Sequence, residues 1–300
     1  MADAGLISAF VERWHRETSS FHLPFGEMSI TLDDVATLLH ISPHDYSWAS
    51  ATLVFLYDKL GDGAVHDTRQ VGGYMTLLLQ CWIYEHFPRI CKRGDRGAVS
   101  AHLPRACRWT AKHAVEGGLM AYLRRLDALL LEDVVLTPYD GDRANHLFVS
   151  ISMFSGYLRC GGVLVPYLPE RCLRQFGRIQ CIPRDVPPMP DNIDWVWEST
   201  MRSTVETLRR LYPVVTFLGE VTTDYYAWYI SVSHPLILPP FTVAHSSPHT
   251  TVAAHAGPSS SAHAGRDRRA AELANRALDM VRPFSEIHEI LSELCRLYDD

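Results

Sequence analysis

Paired carboxylates are the first residues in this 300-residue sequence whose types and spacing could support chemistry. They occur at Asp33/Asp34, Glu132/Asp133 and Asp140/Asp142. Acidic side chains brought together in this way could hold two metal ions for nucleic-acid cleavage. Each pair also has a structural interpretation, which we favour. The first suits the first turn of a helix, the second lies where a helix ends, and the third suits a turn.

Cysteine and histidine side chains offer a second set of candidate ligands, in this case for zinc. They are Cys81, His86, Cys91, Cys107 and His113. Their spacings miss the CxxC pair typical of structural zinc sites, and two residues five positions apart diverge around a helix. We therefore interpret them as buried thiols and satisfied histidines. Four histidines nearer the C-terminus are too loosely spaced to define a site: His245, His249, His255 and His263.

The sequence lacks the motifs of common enzyme classes. It contains no GxxxxGK[ST], GxGxxG or GxSxG. Its three lysines, Lys59, Lys92 and Lys112, lack the Gly- or Ser-rich context that suggests a pyridoxal phosphate site. We predict no catalytic, cofactor-binding or metal-binding residue, and no cofactor. Because the members of a Cys–His nucleophile pair are distant in a chain, a cryptic hydrolase or transferase stays open as an alternative.

The composition is typical of a globular protein that is neither secreted nor embedded in a membrane. Hydrophobic residues make up 47% of the chain, and no run reaches the ~18 apolar residues that a membrane span needs. The N-terminal segment lacks the pattern of a secretory or transit peptide. Seven irregularly spaced cysteines favour free thiols in a reducing compartment.

The charge of the chain gives mixed signals about nucleic acid. A net charge of -6 argues against a dedicated nucleic-acid surface, which usually has a basic excess. Only three of the 28 basic residues are lysines. This bias reflects either GC-rich coding or interfaces built on arginine, which contacts partners through a planar fork. An aromatic cluster at Tyr225, Tyr226, Trp228 and Tyr229 could stack on bases or on a proline-rich peptide, but a place in the core or an interface is more common.

Among the elements that would position these residues, the segment from Phe21 to Leu39 is the most informative. It predicts a strand over 20–23, a turn over 25–27 and a second strand over 28–32. A helix follows at once, with Thr31 as its cap and Asp34 at the reciprocal position of a capping box. Ile30 and Val35 are placed to form a hydrophobic staple.

Elsewhere the periodicity mainly predicts helices. The predicted helices cover residues 5–17, 74–87, 105–131, 168–176 and 195–212. Residues 43–70 give no clear pattern, and 92–104 favour a loop. We predict a mainly α fold with a small N-terminal β-hairpin, a minor α+β character, and a helical domain over 5–241. A disordered linker over 242–265, rich in Ser, His, Ala, Pro and Gly, and a C-terminal helical tail over 266–300 follow it.

Several blocks together resemble one family. They are LISAFVERWHRETSSFHLPFGEMSITLDDVATLLHI, GYMTLLLQCWIYEHFP, PRACRW, YLRRLDALLLEDVVLTPY and SGYLRCGGVLVPYLPERCLRQFGRIQCIPRDVP. In this order they are similar to the plant mobile domain, which is sometimes labelled "aminotransferase-like". The resemblance runs from about Leu6 to about Pro235. It is specific because the blocks are long and their order is right.

The resemblance implies a function but no reaction. Members occur in retrotransposons and Mutator-like elements, in maintenance-of-meristems proteins and fused to protein phosphatase 7 long-form homologues. Cellular members are nuclear and act in transposon silencing, genome stability and meristem maintenance, some alongside a phosphatase-like partner. No residue set for catalysis comes with the family, and these residues do not support the aminotransferase label. Because members usually carry further helices before the FVERW helix, we expect this chain to be a fragment or a transposon-derived relic.

From the resemblance and the missing catalytic motifs we expect a non-enzymatic interaction module in the nucleus, with the cytoplasm as the other location. Its expected partner is a protein, either phosphatase-like or a silencing factor. We expect no association with a membrane. The alternative from another class is a nucleic-acid-binding domain of a mobile element, which the arginine bias and the aromatic cluster suggest.

Overall fold

The computed structural model describes most of the chain up to residue 238. The described residues are 3–41, 46–65, 74–100, 102–111, 118–148, 150–186, 188 and 212–238. All of them except Tyr74 lie in one compact unit, Ala2–Val71 and Met75–Leu238. A second unit comprises Met1, Gly72–Tyr74 and Pro239–Asp300. The helix predicted over 195–212, apart from Tyr212, lies outside the described residues, as do the predicted linker and tail.

Helices and short antiparallel strands make up the regular structure of the described residues. The α-helices are α1 (Ala4–Val11), α2 (Leu32–Leu39), α3 (Tyr46–Val65), α4 (Tyr74–His86), α5 (Gly118–Asp127) and α6 (Tyr225–Val232). The strands are β1 (Trp14–His15), β2 (Ser20–Leu23), β3 (Gly26–Met28), β4 (Arg93–Asp95), β5 (Trp109–Ala111), β6 (Gly156–Cys160) and β7 (Val163–Tyr167). They form one sheet, β1–β2–β3, and two hairpins, β4–β5 and β6–β7. The predicted mainly α fold with a small N-terminal β-hairpin is confirmed.

The first helix is shorter than predicted, because the chain leaves it to join the sheet. The pattern predicts a helix over 5–17, but α1 ends at Val11 and Trp14 pairs with Phe21 in β2. The Trp14 ring lies 4.8 Å from the Phe21 ring and 4.8 Å from the Tyr57 ring. A helix this short gains little from its own backbone, so these contacts prevail over its extension.

The first predicted strand is confirmed as β2, but the second, over 28–32, is wrong. Strand β3 covers Gly26–Met28, and the pairing of Leu23 with Gly26 leaves a two-residue turn. Beyond β3, side chains take the place of a strand partner. Gln175 accepts from the Ser29 amide and donates to its carbonyl, both at 2.8 Å. These contacts satisfy the backbone of Ser29 without a sheet.

Helix α2 begins as predicted. Thr31 caps it, and the reciprocal hydrogen bonds of a capping box with Asp34 are both present. Asp33 and Asp34 lie in its first turn, where the helix dipole favours negative charge. The helix ends at Leu39, and His40 takes a left-handed conformation with φ of 53°.

Helix α3 is the largest element that the sequence does not predict. It spans 20 residues within the region that gives no clear pattern. Its buried face includes Leu53, Leu56, Tyr57 and Leu60, which recur at helical spacing, but the exposed Phe55 obscures the stripe. The helix lies against α2 and the β6–β7 hairpin. Helix α4, predicted as a buried helix ended by Pro88, is confirmed and ends at His86.

The segment between α4 and α5 differs from both predictions made for it. The predicted loop over 92–104 contains β4, and the predicted helix over 105–131 begins with a 3₁₀ turn, Arg105–Arg108, and β5. Pairing of Trp109 with Asp95 draws these residues out of a helix. Helix α5 then starts at Gly118, where the sequence predicts a start or a break.

Two 3₁₀ turns replace the helix predicted over 168–176. They are Pro169–Arg171 and Leu173–Phe176. Three side chains of this stretch, Arg171, Arg174 and Gln175, are buried, and two of them hydrogen-bond to the β3 region. Such a geometry favours tight turns over one straight helix. Gly177, with φ of 63°, ends the segment as predicted.

An aromatic cluster forms the centre of the hydrophobic core. The Phe10 ring lies 5.7 Å from Phe21, 6.2 Å from Trp82 and 5.1 Å from Phe87. All four side chains are fully buried. They join α1, β2 and α4, and each contributes roughly 1.5–3 kcal/mol by burial before entropy is counted. None of the described helices is long and apolar enough to cross a lipid bilayer.

Candidate functional site: a polar core beside an arginine-lined cleft

Asp34 is the centre of a buried group of polar side chains, which we call the polar core and which comprises Thr31, Asp34, Glu85, His86, Arg105 and Tyr139. The Oδ2 atom of Asp34 accepts hydrogen bonds from the amide and hydroxyl of Thr31, both at 2.7 Å. Its Oδ1 atom accepts from the Tyr139 hydroxyl at 2.9 Å and lies 3.2 Å from His86 Nε2. Burial alone would raise the pKa of Asp34, but the hydrogen bonds from His86 and Thr31 outweigh burial and lower it.

His86 lies between two oxygen atoms of the fold. Its Nδ1 atom lies 2.8 Å from the Val135 carbonyl oxygen, and its Nε2 atom lies 3.2 Å from Asp34 Oδ1. The side chain is fully buried, and both ring nitrogens are engaged by these contacts. This arrangement indicates a structural role for His86.

An ion pair between Arg105 and Glu85 completes the polar core. Arg105 donates from Nε to Glu85 Oε1 at 2.8 Å and from Nη2 to Glu85 Oε2 at 3.2 Å. Its Nη1 atom donates to Asp142 Oδ2 at 2.6 Å, and the Trp109 indole donates to Glu85 Oε1 at 2.8 Å. Such a two-pronged contact fixes the guanidinium plane. Arg105 therefore joins the buried Glu85 to the partly exposed Asp142.

The structure brings two of the three predicted carboxylate pairs into one region, each with a cation or proton donor. Arg143 donates to both oxygens of Asp33, at 3.1 and 2.7 Å, and its Nε atom lies 3.8 Å from Asp140 Oδ1. Asp133, of the remaining pair Glu132/Asp133, instead accepts a hydrogen bond from Arg89 at 2.5 Å. Within the described part of the chain, no three His, Cys, Asp or Glu side chains converge as metal ligands.

The three cysteines among the candidate zinc ligands are free thiols in this structure. Cys81 and Cys91 are buried and free, and Cys107 is half-buried and free. Burial raises the pKa of Cys91 to about 12, and it raises the pKa of Cys81 as well. Both therefore stay as thiols near neutral pH, which makes them poor nucleophiles and poor metal ligands. His113 and the four C-terminal histidines lie outside the described residues.

A cleft of about 500 Å³ adjoins the polar core, between residues 137–153 and 175–178. Its lining is Thr137, Asp140, Arg143, Leu147, Phe148, Met153, Gln175, Phe176, Gly177 and Arg178. The Phe148 and Phe176 rings meet edge to face at 6.2 Å. Leu147 is 74% exposed and Phe148 is 38% exposed at the rim. The cleft thus combines apolar rings with two guanidinium groups, which suits binding more than bond breaking.

The aromatic cluster at 225–229 lies on α6 and divides between core and surface. Tyr225 and Tyr229 are fully buried, and the Tyr229 hydroxyl donates to the Leu23 carbonyl at 2.8 Å. Tyr226 is 37% exposed. Because these two buried rings are covered by protein, they cannot stack on bases. Tyr225 and Tyr229 are core residues, and they give no support to nucleic-acid binding.

Sequence reasoning does not find Glu85, Arg105, Tyr139 or Arg143. Their partners are 20 to 110 residues away in the chain, and no local motif joins them. The available signal was the occurrence of charged residues within otherwise apolar blocks, such as Glu85 in the α4 run. A charge in such a run is buried and needs a partner, but its identity requires the fold.

No solved structure matches this chain. Among curated proteins, MAINTENANCE OF MERISTEMS of Arabidopsis thaliana is 25% identical over 342 aligned positions, which cover 77% of this chain and 70% of the relative. MAIN-LIKE 2 of the same plant is 24% identical over 61% of this chain and 43% of the relative.

The chain also matches the serine/threonine-protein phosphatase 7 long form homolog of Arabidopsis thaliana, at 24% identity over 79% of this chain and 27% of the relative. It therefore spans less than half the length of two of these relatives. A family model described as plant mobile domain matches residues 1–44 and 42–230. Because these residues make up well over half of the sequence, the chain belongs to the plant mobile domain family.

Proposed function

We propose that this chain is a non-enzymatic interaction module of the nucleus that grips a protein partner through the cleft. The observation that carries the proposal is that the polar core and the cleft differ in what their side chains contact. The charged side chains of the polar core bind one another, whereas the cleft presents Leu147, Phe148 and part of Arg178 outward.

The cleft suits a peptide segment with an apolar side chain beside a carboxylate. Phe148 and Phe176 offer an apolar face for the first group. Arg178 Nη1 donates to the Tyr212 carbonyl at 3.0 Å, and no described residue accepts from the other N–H groups of this guanidinium. Arginine forks bind carboxylates well, and aromatic or arginine anchors dominate binding at many interfaces.

A phosphatase-like protein or a silencing factor is the partner we propose. One relative carries the name of a phosphatase homologue, and another is named for the maintenance of meristems. Family membership supports a role in transposon silencing, genome stability or meristem maintenance. It also supports the nucleus as the site of action, which a fluorescent fusion expressed in plant cells tests directly.

The cleft can be tested by affinity capture from plant nuclear extract with matched variants. Leu147→Asp places a charge on the exposed rim of the cleft, and Arg178→Glu reverses its cation. Leu130→Asp is the control, because Leu130 is 59% exposed and does not line the cleft. We expect the wild type and the control to retain the same proteins and both cleft variants to lose them.

Two outcomes would contradict the proposal. One is capture of the same proteins by the wild type and by both cleft variants. The other is turnover of a defined substrate by the purified wild type. Circular dichroism of each variant distinguishes loss of binding from loss of fold.

A nucleic-acid-binding function is the second candidate, and the β4–β5 hairpin favours it. Lys92 and Arg96 are exposed, and Arg93 is half-buried over the Trp109 ring at 4.8 Å. Asp95, paired with Arg108 at 2.7 Å, is the acidic residue of this hairpin. The surplus of cations suits a phosphate backbone.

Salt dependence separates this function from protein capture. If the hairpin binds DNA or RNA, affinity falls steeply with salt, and Lys92→Glu with Arg96→Glu reduces the slope. An affinity that is equal at low and moderate salt would exclude this candidate.

A further inference from the structure

Arg174 is a fully buried arginine whose guanidinium has no hydrogen-bond partner among the described residues. Its side chain lies among the least exposed of the described residues, at 2% for the residue as a whole. Its Nε, Nη1 and Nη2 atoms each lack a hydrogen bond to the part of the chain that the structure describes. The guanidinium carbon lies 5.6 Å from the Phe25 ring centre and 5.8 Å from the Tyr225 ring centre.

The neighbouring carboxylate of Glu27 is already engaged by another arginine. Glu27 accepts from Arg171 Nη1 at 3.0 and 3.2 Å, and from the Ser20 hydroxyl at 2.8 Å. No ion pair joins Arg174 to any described carboxylate. Arg171 balances the charge of Glu27, and the guanidinium of Arg174 is left without a direct partner of its own among the described residues.

A second donor faces the same place. The Tyr225 hydroxyl oxygen accepts from the Glu27 amide at 3.4 Å, and the hydroxyl proton has no acceptor among the described residues. A Cβ atom built on Gly26 would lie 2.2 Å from Arg174 Nη2 and 2.9 Å from the Tyr225 oxygen. The guanidinium and the hydroxyl therefore lie side by side over Gly26. We call Phe25, Gly26, Arg174 and Tyr225 the Arg174 site.

Burying a guanidinium whose N–H groups have no acceptor is strongly unfavourable, and two aromatic faces replace only part of what water provides. We propose that the Arg174 site binds a carboxylate, which accepts from the fork of Arg174 and from the Tyr225 hydroxyl. This goes beyond the proposed cleft, because none of the four residues lines it.

The charge and closure of the site favour a carboxylate over a phosphate. The single charge of one guanidinium balances one carboxylate, whereas phosphate carries up to two negative charges at neutral pH. The planar carboxylate also fits the planar fork in two-pronged geometry. The carboxylate belongs either to a small free acid or to an acidic side chain of a partner, and the test has an arm for each.

The test measures the melting temperature and binding heat of the whole chain at pH 7. The probes are sodium acetate and a blocked tripeptide with one central glutamate, each against sodium chloride at equal ionic strength. At a roughly tenfold excess of probe over Kd, we expect a rise of about 3 °C in the wild type. Titration calorimetry is expected to give a saturable heat with one site per chain.

Variants connect the effect to the site. Arg174→Met removes the fork but keeps most of its volume, and we expect it to lose the acetate response. Arg174→Lys keeps the charge without the fork and is expected to respond weakly. Arg159→Met is the control, because Arg159 is an exposed arginine of the β6–β7 hairpin, and it should respond like the wild type.

The outcomes decide between the sources and can overturn the proposal. A response to acetate alone assigns a small free acid, and a response to the tripeptide assigns an acidic side chain of a partner. Equal melting temperatures of the wild type in acetate, tripeptide and chloride, without saturable heat, would overturn it even if no Arg174 variant folds. So would an equal acetate response in Arg174→Met.

Discussion

The polar core and the Arg174 site both bury charged groups, but only the polar core satisfies them. In the polar core, Asp34 meets Thr31, His86 and Tyr139, and Arg105 meets Glu85. In the Arg174 site, the three guanidinium nitrogens of Arg174 meet no acceptor among the described residues. Buried polar groups in native proteins are almost always paired. The paired charges of the polar core therefore stabilise the fold, whereas we propose that the charge of Arg174 is paired only when a carboxylate binds.

His22, on β2 next to the Arg171–Glu27 pair, belongs with the unsatisfied region. Its Nδ1 and Nε2 atoms have no hydrogen-bond partner in the described structure. Its ring stacks on His15 at 3.6 Å, and Nε2 lies 3.9 Å from Glu27 Oε2. The two regions thus respond in different ways to mutation and to pH, and the following predictions exploit that difference.

Asp34→Ala should have the largest effect, because it removes the hub of the satisfied region. The change leaves His86 Nε2, the Tyr139 hydroxyl and the Thr31 amide buried without the carboxylate that each of them contacts. Breaking a buried pair from one side costs about 3–5 kcal/mol. Urea denaturation of the purified chain measures the loss in the free energy of unfolding.

The neighbouring carboxylate provides a matched control. Asp33→Ala also breaks a pair, but the Arg143 side chain is 26% exposed and can turn to water. We expect it to cost about 1 kcal/mol. Equal effects of the two substitutions would show that the polar core is not the satisfied centre described above.

Acid should destabilise the protein through His22. Burial, followed by the nearby charges of His15, Arg171 and His234, lowers the pKa of His22 to about 3. In the unfolded chain His22 takes up a proton near pH 6.5, whereas in the folded chain it does so only near pH 3. Stability linked to His22 is therefore complete above pH 6.5 and falls as the pH drops from 6.5 toward 3.

Other groups around His22 titrate as well, so the test is a difference. Burial raises the pKa of Glu27, and the folded chain takes up this proton before the unfolded chain, which opposes the His22 effect. His22→Phe keeps a ring in the stack but cannot be protonated. Between pH 6.5 and 4.5 the wild type should lose about 2 kcal/mol relative to this variant. Parallel stability curves would contradict the assignment.

The sequence predicts contacts between neighbouring residues better than contacts between distant ones, and the polar core and the Arg174 site differ in this respect. The capping box is readable because Thr31 and Asp34 are three residues apart. The backbone of Ser29 is satisfied by Gln175, which is 146 residues away, and Arg171 reaches Glu27 over 144 residues. The alternating local pattern therefore predicts a strand over 28–32, but this prediction is wrong because the distant Gln175 takes the place of a strand partner.

The candidate site follows the same rule. The sequence identifies Asp33 and Asp34 as helix-capping carboxylates, and the structure shows that Asp34 also anchors His86 and Tyr139. The sequence does not predict helix α3, because its buried face is recognisable only once α2 and β6 are placed against it. The sequence does not predict the burial of Arg174 either, since an arginine in a short turn is normally exposed.

Gly26→Ala should disturb the Arg174 site without touching the polar core. The added methyl group would overlap Arg174 Nη2 at 2.2 Å, and the φ of Gly26, 128°, disfavours any side chain. We expect a loss of about 2 kcal/mol in the free energy of unfolding.

A double-mutant cycle separates the two causes. With Arg174→Met in the background, the clash is relieved in part while the backbone strain stays, so Gly26→Ala should cost less than in the wild type. A coupling energy near zero would place Arg174 away from Gly26 and would weaken the case for the Arg174 site.

Thr31→Ala should have a small effect on stability, because Asp34 in the polar core accepts from more than one donor. The substitution removes the hydroxyl that accepts from the Asp34 amide at 3.2 Å and donates to Asp34 Oδ2. The Thr31 amide, at 2.7 Å, and the Tyr139 hydroxyl still reach the carboxylate. The loss should be that of a helix cap, about 1 kcal/mol by urea denaturation. Thr31→Ser, which restores the hydroxyl, should recover most of it. If Thr31→Ala instead costs as much as Asp34→Ala, the redundancy that distinguishes the polar core from the Arg174 site does not exist.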